Sequence, residues 1–202
     1  PLTRRADPGK PAPLSYAQER LWFLDRLHGP GAAYIVPLAF RLRGTVDTAA
    51  LAAALGDVVL RHEILRTVYV PGGSGAAAHQ RVLAPEEAGE PLEVRDVARA
   101  ELDEHLHEVL HRPFDLGRDR AVRAALLRTA PDDAVLAFAF PHIATDEWSE
   151  APFVRDLDTA YTARRAGRAP QWEPLEADYG DFAAWQRAWL GDADDPASPM
   201  AR

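Results

Sequence analysis

Ala134-Val135-Leu136-Ala137-Phe138-Ala139-Phe140-Pro141-His142 is the stretch on which the fold turns. Its alternation over 134–140 predicts a β-strand, with Leu136, Phe138 and Phe140 facing one way and Val135, Ala137 and Ala139 the other. One face is bulky and the other is small, so the small face leaves room for a neighbouring element or a ligand. His142 falls where the strand ends, held by a rigid sheet yet open to a cleft, a placement that suits a general base. On periodicity alone a structural histidine stays the leading reading.

Working outward, Ser149 is placed to cap a helix with Pro152 in its first turn and Phe153, Leu157 and Tyr161 on one face. A last helix rich in aromatics is predicted over 179–190. Upstream, 121–128 reads as strand, 98–111 as helix and 79–83 as a weak strand, with a turn-rich loop at 71–75 and a strand at 64–70. Asp47 or Thr48 caps a helix over 49–62 whose buried face is Leu51, Leu55, Val58 and Val59. A strand over 34–42 closes at Arg43-Gly44. Ser15 caps a helix over 16–27, apolar at Leu21, Trp22, Phe23, Leu24 and Leu27 and ended by Gly29-Pro30-Gly31. Residues 1–13 hold four prolines and almost no large apolar side chain, the composition of a linker. Strands alternating with helices predict an α/β layered domain.

Composition narrows the function classes. Hydrophobic residues make up 47% and charged residues 27%, as in ordinary globular proteins. A formal net charge of −8 argues against nucleic-acid binding, which needs a basic field. No apolar run approaches the ~20 residues of a membrane span, and residues 1–10 lack the apolar core of a signal peptide. Without cysteine the chain has no disulfide, thiolate metal site or thiol nucleophile, and a cytoplasmic home is the expectation. The chain starts on proline without methionine and reads as a piece of something longer. His107 and His111 have the i,i+4 spacing that can bind metal, but the bland reading, with His105, is a solvated helix face, and no metal is expected.

The segment Pro141-His142-Ile143-Ala144-Thr145-Asp146-Glu147-Trp148-Ser149 is similar to the His-His-x-x-x-Asp-Gly motif of the condensation domains of nonribosomal peptide synthetases and their chloramphenicol-acetyltransferase relatives. Four further segments match that family in order. Ser15-Tyr16-Ala17-Gln18-Glu19-Arg20-Leu21-Trp22 resembles its opening motif, and Arg61-His62-Glu63-Ile64-Leu65-Arg66-Thr67 resembles its second. Arg112-Pro113-Phe114-Asp115-Leu116 is similar to the bridge to the histidine motif, and Tyr179-Gly180-Asp181-Phe182-Ala183-Ala184-Trp185-Gln186 to the motif that follows it. The resemblance runs from Leu14 to about Leu190.

That resemblance implies a layered acetyltransferase-like α/β lobe, one half of a two-lobed condensation domain: a linker at 1–13, the amino-terminal lobe at 14–191, and a truncated connection at 192–202 toward a missing carboxy-terminal lobe. It implies amide formation between a carrier-bound acyl or peptidyl thioester and a carrier-bound aminoacyl acceptor. His142 is the implied catalytic residue, accepting the amine's proton or positioning the amine. Asp146 is implied to be structural, ion-paired with Arg66 or, as second choice, Arg61; burial beside Ile143 and Trp148 would demand such a partner. Oxyanion stabilisation has no assigned donor; a backbone N–H near Glu147 stays open.

Two motif positions are altered. Pro141 replaces the first histidine, removing a backbone donor and fixing φ. Glu147 replaces the glycine and sets an anion beside the presumed reaction centre, where an acceptor amine is one thing it would sense. The implied partners are the donor and acceptor peptidyl carrier proteins, which supply phosphopantetheine arms; the lobe has no cofactor of its own. The rival reading is a non-catalytic module of the same fold that docks a carrier protein or a tailoring enzyme. An exposed apolar interface for the missing lobe, open to self-association, is also expected.

Overall fold

The structure is a computed structural model that describes residues 1–7, 10–29, 31–73, 77–191 and 198–201. The expected helix stop at Pro30, the end of the 71–75 loop and most of the 192–202 connection lie outside the described residues.

In chain order the elements are β1 (Ala12–Pro13), α1 (Tyr16–His28), β2 (Ile35–Arg43), α2 (Thr48–Arg61), β3 (Thr67–Val70), β4 (His79–Val82), β5 (Glu93–Asp96), α3 (Leu102–His111), β6 (Arg123–Ala130), β7 (Asp133–Pro141), α4 (Glu150–Arg165) and α5 (Tyr179–Leu190). Two sheets form. The larger has the order β2-β7-β6-β5, antiparallel except where β5 runs parallel to β6. The smaller has the order β1-β4-β3. The expected mixed α/β lobe is what the chain builds.

The alternation in β7 explains the layers. Its bulky face, Leu136, Phe138 and Phe140, packs against Leu51, Leu55 and Val58 of α2 and Phe153, Leu157 and Ala160 of α4. Phe153 meets both rings edge-on, with centroids 5.1 Å apart in each case and the planes at 82°. Such pairs add about 0.5–1.5 kcal/mol beyond the area they bury. On the small face Ala137, with Ala125 and Leu127 of β6, takes Leu102, Leu106, Val109 and Leu110 of α3. A helix, therefore, occupies the room that the small side chains leave.

Three local readings differ from expectation. Residues 63–66 form a 3-10 turn rather than strand, because the Thr67 hydroxyl donates to the Glu63 carbonyl at 2.7 Å and holds the chain tight before β3 begins. The helix expected from 98 begins at Leu102, after a 3-10 turn at Arg99–Glu101. The opening segment is packed rather than free. Ala12 is buried opposite Gln80, whose side chain donates to the Pro13 carbonyl at 2.7 Å, and Arg5 pairs with Asp181 of α5 at 3.1 Å. Prolines at 11 and 13 are tolerated there since β1 is an edge strand.

Candidate functional site

β7 ends at Pro141, and the chain turns tightly, with the Ala144 N–H donating to the Pro141 carbonyl at 2.9 Å. The His142 N–H donates to the Tyr34 carbonyl at 2.8 Å, across the β2 side. Position 141 therefore aims its amide position at the β6 side, where pairing has already stopped at Arg123 opposite Ala139. Proline removes a donor at a place where the ladder needs none, which is why the strand end keeps its form.

The His142 side chain is exposed, and its Nδ1 lies 2.7 Å from the Thr145 carbonyl. A carbonyl only accepts, so Nδ1 carries the proton and, in the neutral ring, Nε2 keeps its lone pair for a ligand. The loop is fixed from below. Ile143 is buried with Leu14 and Tyr69. Its carbonyl accepts from the Tyr69 hydroxyl at 3.3 Å and from Gln18 Nε2 at 3.4 Å. Gln18 also closes a capping box with Ser15 at the start of α1. Burial pushes the Tyr69 phenol well above its ordinary range, so it stays a neutral donor. Nothing along the chain reveals this bracing by Gln18 and Tyr69: Ser15 marks the cap, but the contact with the histidine loop is made only by the fold.

Two cavities flank the loop. One, of about 260 Å³, is walled by His142, Pro141, Ile143, Leu21 and Leu24 of α1, and Phe114. Phe114 is held by Arg123, whose guanidinium lies 4.2 Å from its ring centroid and donates to the carbonyls of Val109, Arg112 and Pro113. Burial pulls that guanidinium down to about 10. The other cavity, of about 290 Å³, is mainly apolar, with Val36, Leu38, Ile64, Leu65, Phe140 and Phe153 in its walls and Asp146 and Ser149 among its polar residues. His142 and Asp146 thus serve different cavities.

The expected ion pair of Asp146 with Arg66 or Arg61 is not formed. Asp146 is exposed, Trp148 beside it is 84% exposed, and the burial that would demand a cation is missing. Asp146 instead accepts from the Ser149 hydroxyl at 2.6 Å, while its own N–H donates to that oxygen at 3.1 Å. It thereby closes the 3-10 turn Glu147–Ser149 that leads into α4, in place of the cap expected from Ser149 itself. Arg66 pairs with Glu63 at 3.4 Å and donates to the Leu83 carbonyl. Arg61 pairs with Asp156, a buried carboxylate of α4, at 3.0 Å, and His62 Nε2 reaches the same oxygen at 2.8 Å. The arginine of the second motif does clamp an acid, but one ten residues past Asp146. Glu147 is exposed and lines neither cavity beside the loop.

It follows that Asp146→Ala is expected to cost about 1 kcal/mol, the scale of a lost helix cap, measured by thermal or urea unfolding. A loss of several kcal/mol would reveal a buried partner.

On α3, the His107 and His111 rings stack at 4.3 Å, and His111 Nδ1 donates to the His107 carbonyl. Among the described residues no group of three or more His, Cys, Asp or Glu side chains is placed to hold a metal ion.

Comparison with known proteins adds the following. The Condensation domain family profile matches residues 10–195. The chain is 52% identical over 201 residues to the probable non-canonical nonribosomal peptide synthetase CymA of Salinispora arenicola, covering 98% of this chain and 2% of that protein. It is 45% identical over 201 residues to the dimodular nonribosomal peptide synthase of Bacillus subtilis, covering 100% of this chain and 8% of that one. Among solved structures, the X-domain from teicoplanin biosynthesis, in its complex with OxyB, superposes with a TM-score of 0.86 at 36% identity, covering 98% of this chain and 42% of that one. The starter condensation domain of the rhizomide synthetase RzmA has the same fold, with a TM-score of 0.79 at 18% identity over 91% of this chain and 45% of that one.

Proposed function

This chain belongs to the condensation-domain family, and from that premise we propose that it is the amino-terminal lobe of a domain that joins a carrier-bound acyl or peptidyl thioester to a carrier-bound aminoacyl acceptor. The observation that carries the reading is His142: exposed, proton fixed on Nδ1 by Thr145, Nε2 without a hydrogen bond among the described residues, at the wall of a cavity. The acceptor nitrogen attacks the thioester carbonyl, the C–S bond breaks, the thiolate leaves on the donor arm, and the proton on nitrogen passes to His142 Nε2. The lobe takes in residues 14–191 together with β1, which pairs with β4. Both phosphopantetheine arms belong to the carrier partners. Among the described residues no helix is long and apolar enough to cross a membrane, and we place the protein in the cytoplasm with the synthetase it serves.

The test is amide formation by the two-lobed protein that carries this lobe, with donor and acceptor carriers loaded, compared with its Pro141→His variant. Measurable amide in both supports the catalytic reading. Because Pro141 sits where the ladder lacks no donor, the variant is expected to change the rate less than tenfold. No amide from either favours the second reading, a non-catalytic docking module. Two observations support that alternative: Pro141 in place of the first motif histidine, and the similarity to an X-domain seen in complex with OxyB.

The 202-residue chain alone is expected to yield no amide from loaded carriers. Positioning both tethered substrates needs a second wall, and an open cleft exposes the thioester to water. Exposed Phe23, Leu27, Trp148 and Trp189 are expected to drive association of the lone lobe, read as a rise in solution mass with concentration. A strict monomer that condenses would overturn this account.

A further inference from the structure

Helical spacing sets Leu21, Leu24, Asp25 and His28 on one face of α1, and all four line the cavity that holds His142. Asp25 is the one carboxylate among the described residues of that wall. Among the described residues no hydrogen bond or ion pair reaches its side chain. Burial raises its pKa; Arg26 offsets part of the effect, and Asp115 adds to it. The Arg26 guanidinium lies instead against the Trp22 ring, 5.6 Å from its centroid. A half-buried carboxylate between leucines, whose burial the neighbouring Arg26 offsets only in part, costs stability that an entering cation recovers. Glu147, the acid first expected near the amine, is not on this wall.

We propose that Asp25 receives the α-ammonium group of the aminoacyl acceptor and so selects amine-bearing acceptors at the His142 cavity, an inference that rests on the condensation reading given above. Asp25 is a specificity residue: it binds the ammonium on the α1 side of the cavity, within the same enclosure as the His142 ring, and the nitrogen attacks as the neutral amine after giving one proton to solvent. A lone carboxylate is a poor metal site, whereas one ammonium matches it in charge and in donors.

The experiment uses the two-lobed protein and two small probes, the glycyl and hydroxyacetyl amides of aminopantetheine. They differ in carrying an ammonium or a neutral hydroxyl. At pH 7 the protein is expected to bind the glycyl probe about 10–100-fold more tightly, the scale of a charge-assisted hydrogen bond. Asp25→Asn is expected to bring that ratio below about threefold, and Asp25→Glu to restore at least part of it. A loss of folding lowers both affinities together and leaves the ratio unchanged. An unchanged ratio in Asp25→Asn, or no preference in the unaltered protein, overturns the proposal. Amide formation is not read here. A protein that prefers the ammonium yet never condenses overturns the catalytic reading alone.

Discussion

Replacing His142 with alanine in the two-lobed protein is expected to lower amide formation about 10²–10⁴-fold, the usual worth of a positioned general base or proton acceptor. The melting temperature is expected to move by no more than about 2 °C, because the side chain is exposed and such substitutions stay within about 0.5 kcal/mol. Little besides the Thr145 carbonyl is left behind, and that oxygen can turn to water. The two readouts together separate chemistry from folding. A rate within threefold of the unaltered protein would remove His142 from the mechanism. In that event the docking reading takes its place.

The largest effect on stability is expected from Asp156→Ala, about 3–5 kcal/mol in urea unfolding at pH 7. Asp156 is 3% exposed and accepts from Arg61, His62 and Arg155 at 3.0, 2.8 and 3.2 Å. Removing it leaves the partly buried Arg61 guanidinium, sandwiched against Trp172 at 4.9 Å, without its anion. It also unfastens α2 from α4, the two helices that cover the bulky face of β7. Burial pushes the Asp156 pKa up, but the hydrogen bonds from His62, Arg61 and Arg155 outweigh it and the net shift is downward. The sign follows: a carboxylate with a depressed folded pKa stabilises fully above its unfolded value, about 3.9, and loses that contribution as pH falls through the folded value. Asp156 therefore makes the lobe acid-sensitive below about pH 4 and contributes no slope between pH 7 and 5. A loss of less than 1 kcal/mol in Asp156→Ala would mean that water already solvates the cluster.

How far the sequence could be read depends on which force sets each element. Helix α2 and strand β7 were plain because their apolar spacing is regular and their faces are buried, and α5 because of its run of aromatic residues. Strand β5, Glu-Val-Arg-Asp, was missed: an edge strand whose charges are held by Arg128 on Asp96 and Arg95 on Glu108 has no apolar period to detect. His142 at the strand end was legible for the same reason as β7. The partner of Asp146 was not, since a motif gives spacing along the chain while the choice between Asp146 and Asp156 is made by which carboxylate the helix pair buries. Gln18 was equally hidden. A buried amide at the head of an amphipathic helix looks, in one dimension, like a polar residue on its wet side.

The two ends of the lobe are sewn together. Arg5 holds Asp181, the Tyr16 N–H donates to Gln186 at 3.1 Å, and Arg187 donates to the Leu14 carbonyl at 2.8 Å while lying over the Tyr16 ring. These joins span more than 160 residues of sequence, and during translation they cannot close until α5 has left the ribosome. At about 5–20 residues per second, the opening segment waits roughly 10–40 s after its own synthesis. For that interval the amino-terminal turn of α1 lacks its α5 contacts, and the Gln18 brace beneath the histidine loop is held by Ser15, Tyr69 and Gln80 alone. A pause between the codons for α4 and α5 would lengthen the exposure, so this stretch of the message is where translation speed would govern the yield of folded lobe.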